Sequence, residues 1–311
     1  MLLFMNPIYK ETIWGGSRLK SDFGYPIPSD HTGEAWVISA HEHGDCEITR
    51  GRYAGRTLSS LWKEEPALFG NLKYERFPLL IKIIDAKADL SIQVHPDDAY
   101  AAEHENGSFG KMECWYILDC DEDAQIVIGH NAAGHEEVVS MIENGQWDEF
   151  IRVIPVHKGD FFQINPGTVH AIKTGTLILE TQQNSDITYR VYDYDRLQDG
   201  KPRQLHVKQS EDVITAPFAG DEQDEKRVEI ITTGAKVTHL EDCMYYGVDH
   251  IEVTNQMMAK YDVPFLNVSV IEGNGEFDGV PVVKGDHFIV TNGETKFHLA
   301  GNMNLIVSWP K

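Results

Sequence analysis

Apolar residues along most of the chain come in short alternating or continuous runs: "AWVIS", "FPLLIKII", "CWYIL", "AQIVIG", "TLILETQ" and "LNVSVI". Glycine, proline and asparagine separate them. Many short strands punctuated in this way predict a sandwich or barrel. Helical periodicity is confined to three places. Residues 57 to 72 open on Thr57 as a capping residue, residues 97 to 105 follow a strand, and residues 134 to 153 carry Val138, Val139, Ile142 and Trp147 at roughly helical spacing. The expectation is a mainly β fold with a few packing helices. The charged, weakly hydrophobic run "GDEQDEKR" at 220 to 227 divides it into units 1–220 and 221–311.

Across that run the sequence repeats itself. "PVHKGDFFQINPGTVHAI" (155 to 172) aligns without gaps on "PVVKGDHFIVTNGETKFH" (281 to 298), matching Pro155 with Pro281, Lys158 with Lys284, Gly159 with Gly285, Asp160 with Asp286 and Phe162 with Phe288. A strand, a turn and a strand occurring twice imply two copies of one β unit. In K-G-D the glycine supplies backbone freedom and the aspartate caps the turn. His170 falls opposite Lys296, so the second copy does not repeat whatever His170 does.

Composition narrows the function. With 27 basic against 49 acidic residues, the net charge of −22 opposes binding to nucleic acid or to an anionic membrane surface, and an anionic substrate requires a local basic pocket. No run approaches the length of a membrane span, and residues 1 to 5 are too short for a signal peptide. We expect a soluble, cytoplasmic protein, monomer or homodimer. Cys46, Cys114, Cys120 and Cys243 lack C-x-x-C spacing and read as free thiols.

Chemistry enters with "LSIQVHPDD", residues 90 to 98. In a strand, alternate residues share a face, so Ser91, Gln93 and His95 point one way and Ile92 and Val94 the other. "GKMECWYIL" likewise puts Lys111 and Glu113 on one face, and the Pro-Gly turn of "NPGTVHA" delivers His170 at the start of a strand. His95, Glu113 and His170, with Gln93 as a fourth donor, form an imidazole, carboxylate and amide set suited to zinc or another divalent first-row ion with an open position. Any one of these histidines alone reads as a surface or hydrogen-bonded residue. The three segments together point to a metal. His41 and His43 in "SAHEHGD" form a competing pair, but their polar, glycine-ended setting reads as a loop. In "ETQQNSDITYRVYDYDR" (180 to 196), Asp186, Thr188 and Arg190 have strand spacing, which fits either an edge strand of alternating charge or a guanidinium held over a sugar phosphate.

On these residues the chain resembles the type I mannose-6-phosphate isomerases in their shorter bacterial form. The motifs run from "NPIYKETIWGG" through "GEAWVISAH", "FPLLIKIIDAKADLSIQVHPDD", "GKMECWYIL" and "PGTVHAI" to "NSDITYRVYDYDR". The resemblance implies two cupin-like jelly-roll barrels. The first is catalytic with helical insertions, and the second is smaller, degenerate and without a metal site. It further implies one Zn2+ per chain on Gln93, His95, Glu113 and His170, with Arg190 as the family's catalytic arginine. Ser91, Lys111, Glu180 and Asp186 fall on matching active-site positions, and Trp14 on the tryptophan that helps close the pocket. Arg196 stands where longer members tend to carry lysine. The implied reaction interconverts mannose 6-phosphate and fructose 6-phosphate through a cis-enediol, with Lys111 and Glu180 as candidates for proton transfer. A metal-dependent dioxygenase on two histidines and one carboxylate, and a non-catalytic sugar-phosphate sensor, are the rival readings.

Overall fold

The computed structural model describes residues 1–220, 227–293 and 295–311; most of the charged run at 220 to 227 thus lies outside the described residues. The predicted strands form where alternation called for them. A six-stranded antiparallel sheet runs in the order Phe161–Ile164, Glu113–Cys120, Thr176–Gln183, Leu79–Ala86, Ile8–Gly16, Thr32–Ile38. A five-stranded sheet, Ile151–Pro155, Gln125–His130, His170–Ile172, Ile92–Val94, Tyr189–Tyr192, faces it. Between them lies an apolar core to which both contribute: Ile84, Trp115, Ile117, Phe162 and Ile178 from the first, Ile126, Ile128 and Ile172 from the second. Two antiparallel sheets packed face to face make the expected jelly-roll barrel.

The outer faces are covered differently. Ile92 and Val94 turn away from the barrel interior and pack with Val138, Ile142, Phe150 and Ile214, where the helices His135–Glu143, Trp147–Phe150 and Val207–Val213 cover the five-stranded sheet. Leu58, Leu61 and Trp62 of the helix Leu58–Glu64 share a core with Phe69, Phe77 and, from the C-terminal sheet, Tyr246, Val248 and Phe265. That helix begins as predicted: the Thr57 side chain accepts from the Ser60 N–H. Asp97 caps Asp98–His104 in the same way, through Tyr100 N–H. The long helix predicted over 134 to 153 is a correction. It stops at Glu143, Gly145 follows with φ +65°, and after one short turn the chain becomes the strand Ile151–Pro155. Gly145 takes a left-handed conformation that breaks the helix, and the β-branched sequence beyond it pairs with Gln125–His130.

Residues 229–310 supply eight strands of a ten-stranded antiparallel sheet folded around its own apolar core of Val268, Val270, Phe277, Phe288, Phe297 and Leu299, among others. The chain's first strand joins this sheet, Leu2 opposite Val290 and Phe4 opposite Phe288. The internal repeat is exact at its turn. Gly159 and Gly285 both have φ +92°, a conformation open to glycine. Asp160 accepts from His157 N–H at 2.7 Å, and Asp286 from Val283 N–H at 2.9 Å. Among the described residues no helix is long and apolar enough to cross a membrane, and all four cysteines are free.

Candidate active site

The polar side of "LSIQVHPDD" lines the barrel interior. Ser91 and His95 are buried at either end of Ile92–Val94, and Gln93 lies between them. Pairing with His170–Ile172 sets Gln93 directly opposite His170. Glu113, the first residue of its strand, is wholly buried on the facing sheet. Three segments remote in sequence therefore meet. His95 Nε2 lies 3.2 Å from His170 Nε2, both are 3.4 Å from Glu113 oxygens, and the Gln93 amide is 3.2 Å from His170 Nε2.

The two histidines have their tautomers fixed. His95 Nδ1 donates to the Ile187 carbonyl at 2.8 Å, and His170 Nδ1 to the Thr168 carbonyl at 2.8 Å. Each neutral ring therefore presents an unprotonated Nε2 toward the other, with the Lys111 ammonium 3.0 Å from that of His95 and the Gln93 amide 3.2 Å from that of His170. Burial, aided by the Lys111 ammonium, pushes the His95 pKa down to about 3; burial lowers that of His170 as well. Burial opposes the charge of Glu113, but the Lys111 ammonium outweighs it and holds the carboxyl well below its usual range. Two neutral imidazoles, one ionised carboxylate and an amide that can turn its oxygen inward are the donors a divalent first-row ion takes, and the Ile187 and Thr168 carbonyls already orient both rings. The residues fit a metal.

Around them stands a charged wall. Lys111 contacts Glu113 Oε2 and lies 3.0 Å from His95 Nε2. Trp115 Nε1 bridges Glu113 (3.1 Å) and Glu180 (3.0 Å). Glu180 is raised in pKa by burial and then by Glu113. Its other oxygen meets Lys82 at 3.1 Å, and Lys82 lies 3.8 Å from Glu34. Burial works against the Lys82 charge, yet Glu180, Glu34 and Glu113 prevail and raise its pKa. Sequence reading missed Lys82 and Glu34. The signal was a lysine at the centre of "FPLLIKII", a strand buried along its whole length, since a buried ammonium requires partners.

Arg190 donates to Ser91 Oγ at 3.3 Å and to the Gln204 carbonyl at 2.8 Å; burial, with Arg203 close by, lowers its pKa. Arg196 and Arg203 are both drawn to Asp193, and Arg196 also reaches the Asp89 carbonyl. Trp14 is buried in the same barrel core as Trp115. Asp186 departs from its predicted spacing. The strand begins only at Tyr189, and the Asp186 carboxylate turns instead to the hairpin of His41 and His43, 2.6 Å from His43 Nδ1 and 3.6 Å from His41 Nε2. Among the described residues this trio and His95, Glu113 and His170 are the two groups with metal-ligating spacing.

Two family models match the chain: phosphomannose isomerase type I, catalytic domain, over residues 2–117, and mannose-6-phosphate isomerase, cupin domain, over residues 235–310. The sequence is 49% identical over 313 residues to the mannose-6-phosphate isomerase ManA of Bacillus subtilis (strain 168), covering 98% of each chain. It is 44% identical over 311 residues to the mannose-6-phosphate isomerase of Streptococcus mutans serotype c, covering 98% of this chain and 97% of that one. A crystal structure of the mannose 6-phosphate isomerase from Bacillus subtilis matches the fold with a TM-score of 0.96, at 44% identity over 99% of both chains. Identity of this order, sustained along nearly the whole of both partners, means that the chain belongs to the type I phosphomannose isomerase family.

Proposed function

We propose that the protein is a metal-dependent aldose-ketose isomerase that interconverts mannose 6-phosphate and fructose 6-phosphate through a cis-enediol. One zinc ion per chain is held by Gln93, His95, Glu113 and His170. The observation that carries the reading is the pair of unprotonated Nε2 atoms of His95 and His170, 3.2 Å apart beside an ionised Glu113. Two acceptors and a carboxylate so close gather positive charge: the Lys111 ammonium lies 3.0 Å from His95 Nε2, and a metal ion would satisfy all three donors at once. Near full-length identity to chains named mannose-6-phosphate isomerase supports isomerase chemistry over the dioxygenase and the non-catalytic sensor.

When bound, zinc supplies Lewis-acid stabilisation of charge on the sugar's C1 and C2 oxygens. The remaining work belongs to side chains. A base takes the C2 proton of the aldose while the C1 oxygen gains one, giving the enediol; the proton then returns to C1 as the C2 oxygen gives up its own. Lys111 and Glu180 are the proposed proton carriers. Both are buried, so water does not compete with them, and Glu180, raised in pKa and gripped by Trp115 and Lys82, is suited to hold a proton. Arg190, braced on Ser91, is proposed to meet the developing enediolate or the phosphate, with Asp186 and Trp14 completing the substrate pocket.

A coupled assay that converts mannose 6-phosphate to fructose 6-phosphate tests the reading. Activity is expected to vanish on chelation and to return with zinc. Undiminished turnover after elemental analysis has verified metal removal would overturn it.

A further inference from the structure

We propose that the hairpin carrying His41 and His43 is a positioning device for the metal centre, acting through Asp186 and the Ile187 carbonyl. The inference rests on His95 being a metal ligand, as read above. His41 is buried, edge-on to the Trp36 ring at 5.5 Å, in the two-stranded hairpin Ala40–His41 and Gly44–Asp45. Its spacing to His43 and Asp186 is that of a second metal group, but its hydrogen bonding forbids that use. His41 Nδ1 accepts the backbone N–H of His43 at 3.1 Å. The proton of the neutral ring is therefore on Nε2, which lies 3.6 Å from Asp186 Oδ1, beyond a hydrogen bond, and has no lone pair to give a cation.

Asp186 is thus held by His43 Nδ1 at 2.6 Å, while His41, accepting the His43 backbone N–H, holds that residue in place. The next residue, Ile187, supplies the carbonyl that accepts from His95 Nδ1 and turns His95 Nε2 toward Glu113 and His170. The loop is fixed on its other side by Ser185, whose carbonyl accepts from Gln182 and whose hydroxyl donates to the Phe109 carbonyl. Asp186 is the anchor on the hairpin side, so releasing it frees the carbonyl that sets the ligand. Partners of a metal-bound histidine's second nitrogen govern affinity; here that control extends one step further, to a hairpin far from the ion in sequence.

The test uses two substitutions at His43, whose side chain is 63% exposed and carries little packing, in the full-length zinc-loaded protein. In His43→Asn the side-chain NH2 takes the place of Nδ1–H and keeps the bond to Asp186; in His43→Ala the bond is lost. The readout is zinc retained, by elemental analysis, after dialysis against a graded chelator, alongside kcat and KM. The chelator concentration that removes half the zinc is expected to fall about tenfold in His43→Ala and to stay within about threefold of native in His43→Asn. In His43→Ala, kcat is expected to fall more than KM rises. Equal retention in both variants, or native retention in His43→Ala, overturns the proposal. A native protein that takes up no zinc would instead fail the metal reading itself.

Discussion

The two β units share a turn and differ in what they enclose. In the first, Ile164 pairs with Glu113 and Glu180 with Trp115. In the second, Val290, the repeat partner of Ile164, pairs with Leu266, and Val307 lies opposite Val268. Where one interior carries a ligand and an acid, the other carries aliphatic side chains packed around Phe277, Phe288 and Phe297. The turn itself is unchanged, down to Gly159 and Gly285 each donating to a carbonyl at 2.9 Å, of Ile117 and Val270. Backbone instructions, a glycine for φ and an aspartate for the cap, are therefore separable from interior chemistry. The second unit has the same turn around an apolar interior, and it lends its face to the core behind the six-stranded sheet.

Exchanging residues between the units probes that separation. Glu113→Leu gives the first interior the aliphatic residue of the second. It is expected to abolish zinc binding and lower turnover on the order of 10⁴-fold or more, since it removes a ligand and strands Lys111. Adding Lys111→Met takes out both buried charges together, so circular dichroism of the double variant separates lost metal from lost fold; zinc retained in either variant would break the comparison. Lys111→Met alone is a finer cut. It leaves all four donors and is expected to lower kcat by about 10² to 10⁴ with zinc content unchanged. Near-native turnover would remove Lys111 from proton transfer.

The smallest effect lies in the second unit. His287, which aligns with Phe161, is buried between Tyr25 (2.6 Å) and Ser269 (2.8 Å), and burial pushes its pKa from 6.5 to about 3. It is neutral in the folded chain and takes a proton on unfolding. Its contribution is complete above about pH 6.5 and is lost as the pH falls toward 3. His287→Phe removes that dependence. The stability lost between pH 7 and pH 5, from denaturant titrations, is expected to be about 2 kcal/mol less in the variant. An unchanged difference would show that His287 does not titrate on unfolding.

Much of this was legible in the sequence because the signals are local. Alternation put Ser91, Gln93 and His95 on one face, K-G-D named the turn, and Thr57 and Asp97 marked two helix starts. What was hidden depends on long-range pairing. Lys82 looked like one residue in an apolar strand until Glu180 and Glu34 closed on it from neighbouring strands. The hairpin of His41 and His43 read as an ordinary loop, for nothing near it announces Asp186. The pairing of Leu2–Asn6 with His287–Val290 joins opposite ends of the chain and leaves no local trace. The 134 to 153 segment misled for the opposite reason: helical spacing continued past Gly145, where conformation and sheet pairing took over.

Convergence of four donors on one ion is tested most directly by diffraction from zinc-loaded crystals at the zinc absorption edge. A single anomalous peak is expected at bonding distance, about 2.0–2.2 Å, from His95 Nε2, His170 Nε2, a Glu113 oxygen and the Gln93 amide oxygen. A peak at His41, His43 and Asp186 instead, or no peak within the barrel at full zinc loading, would contradict it.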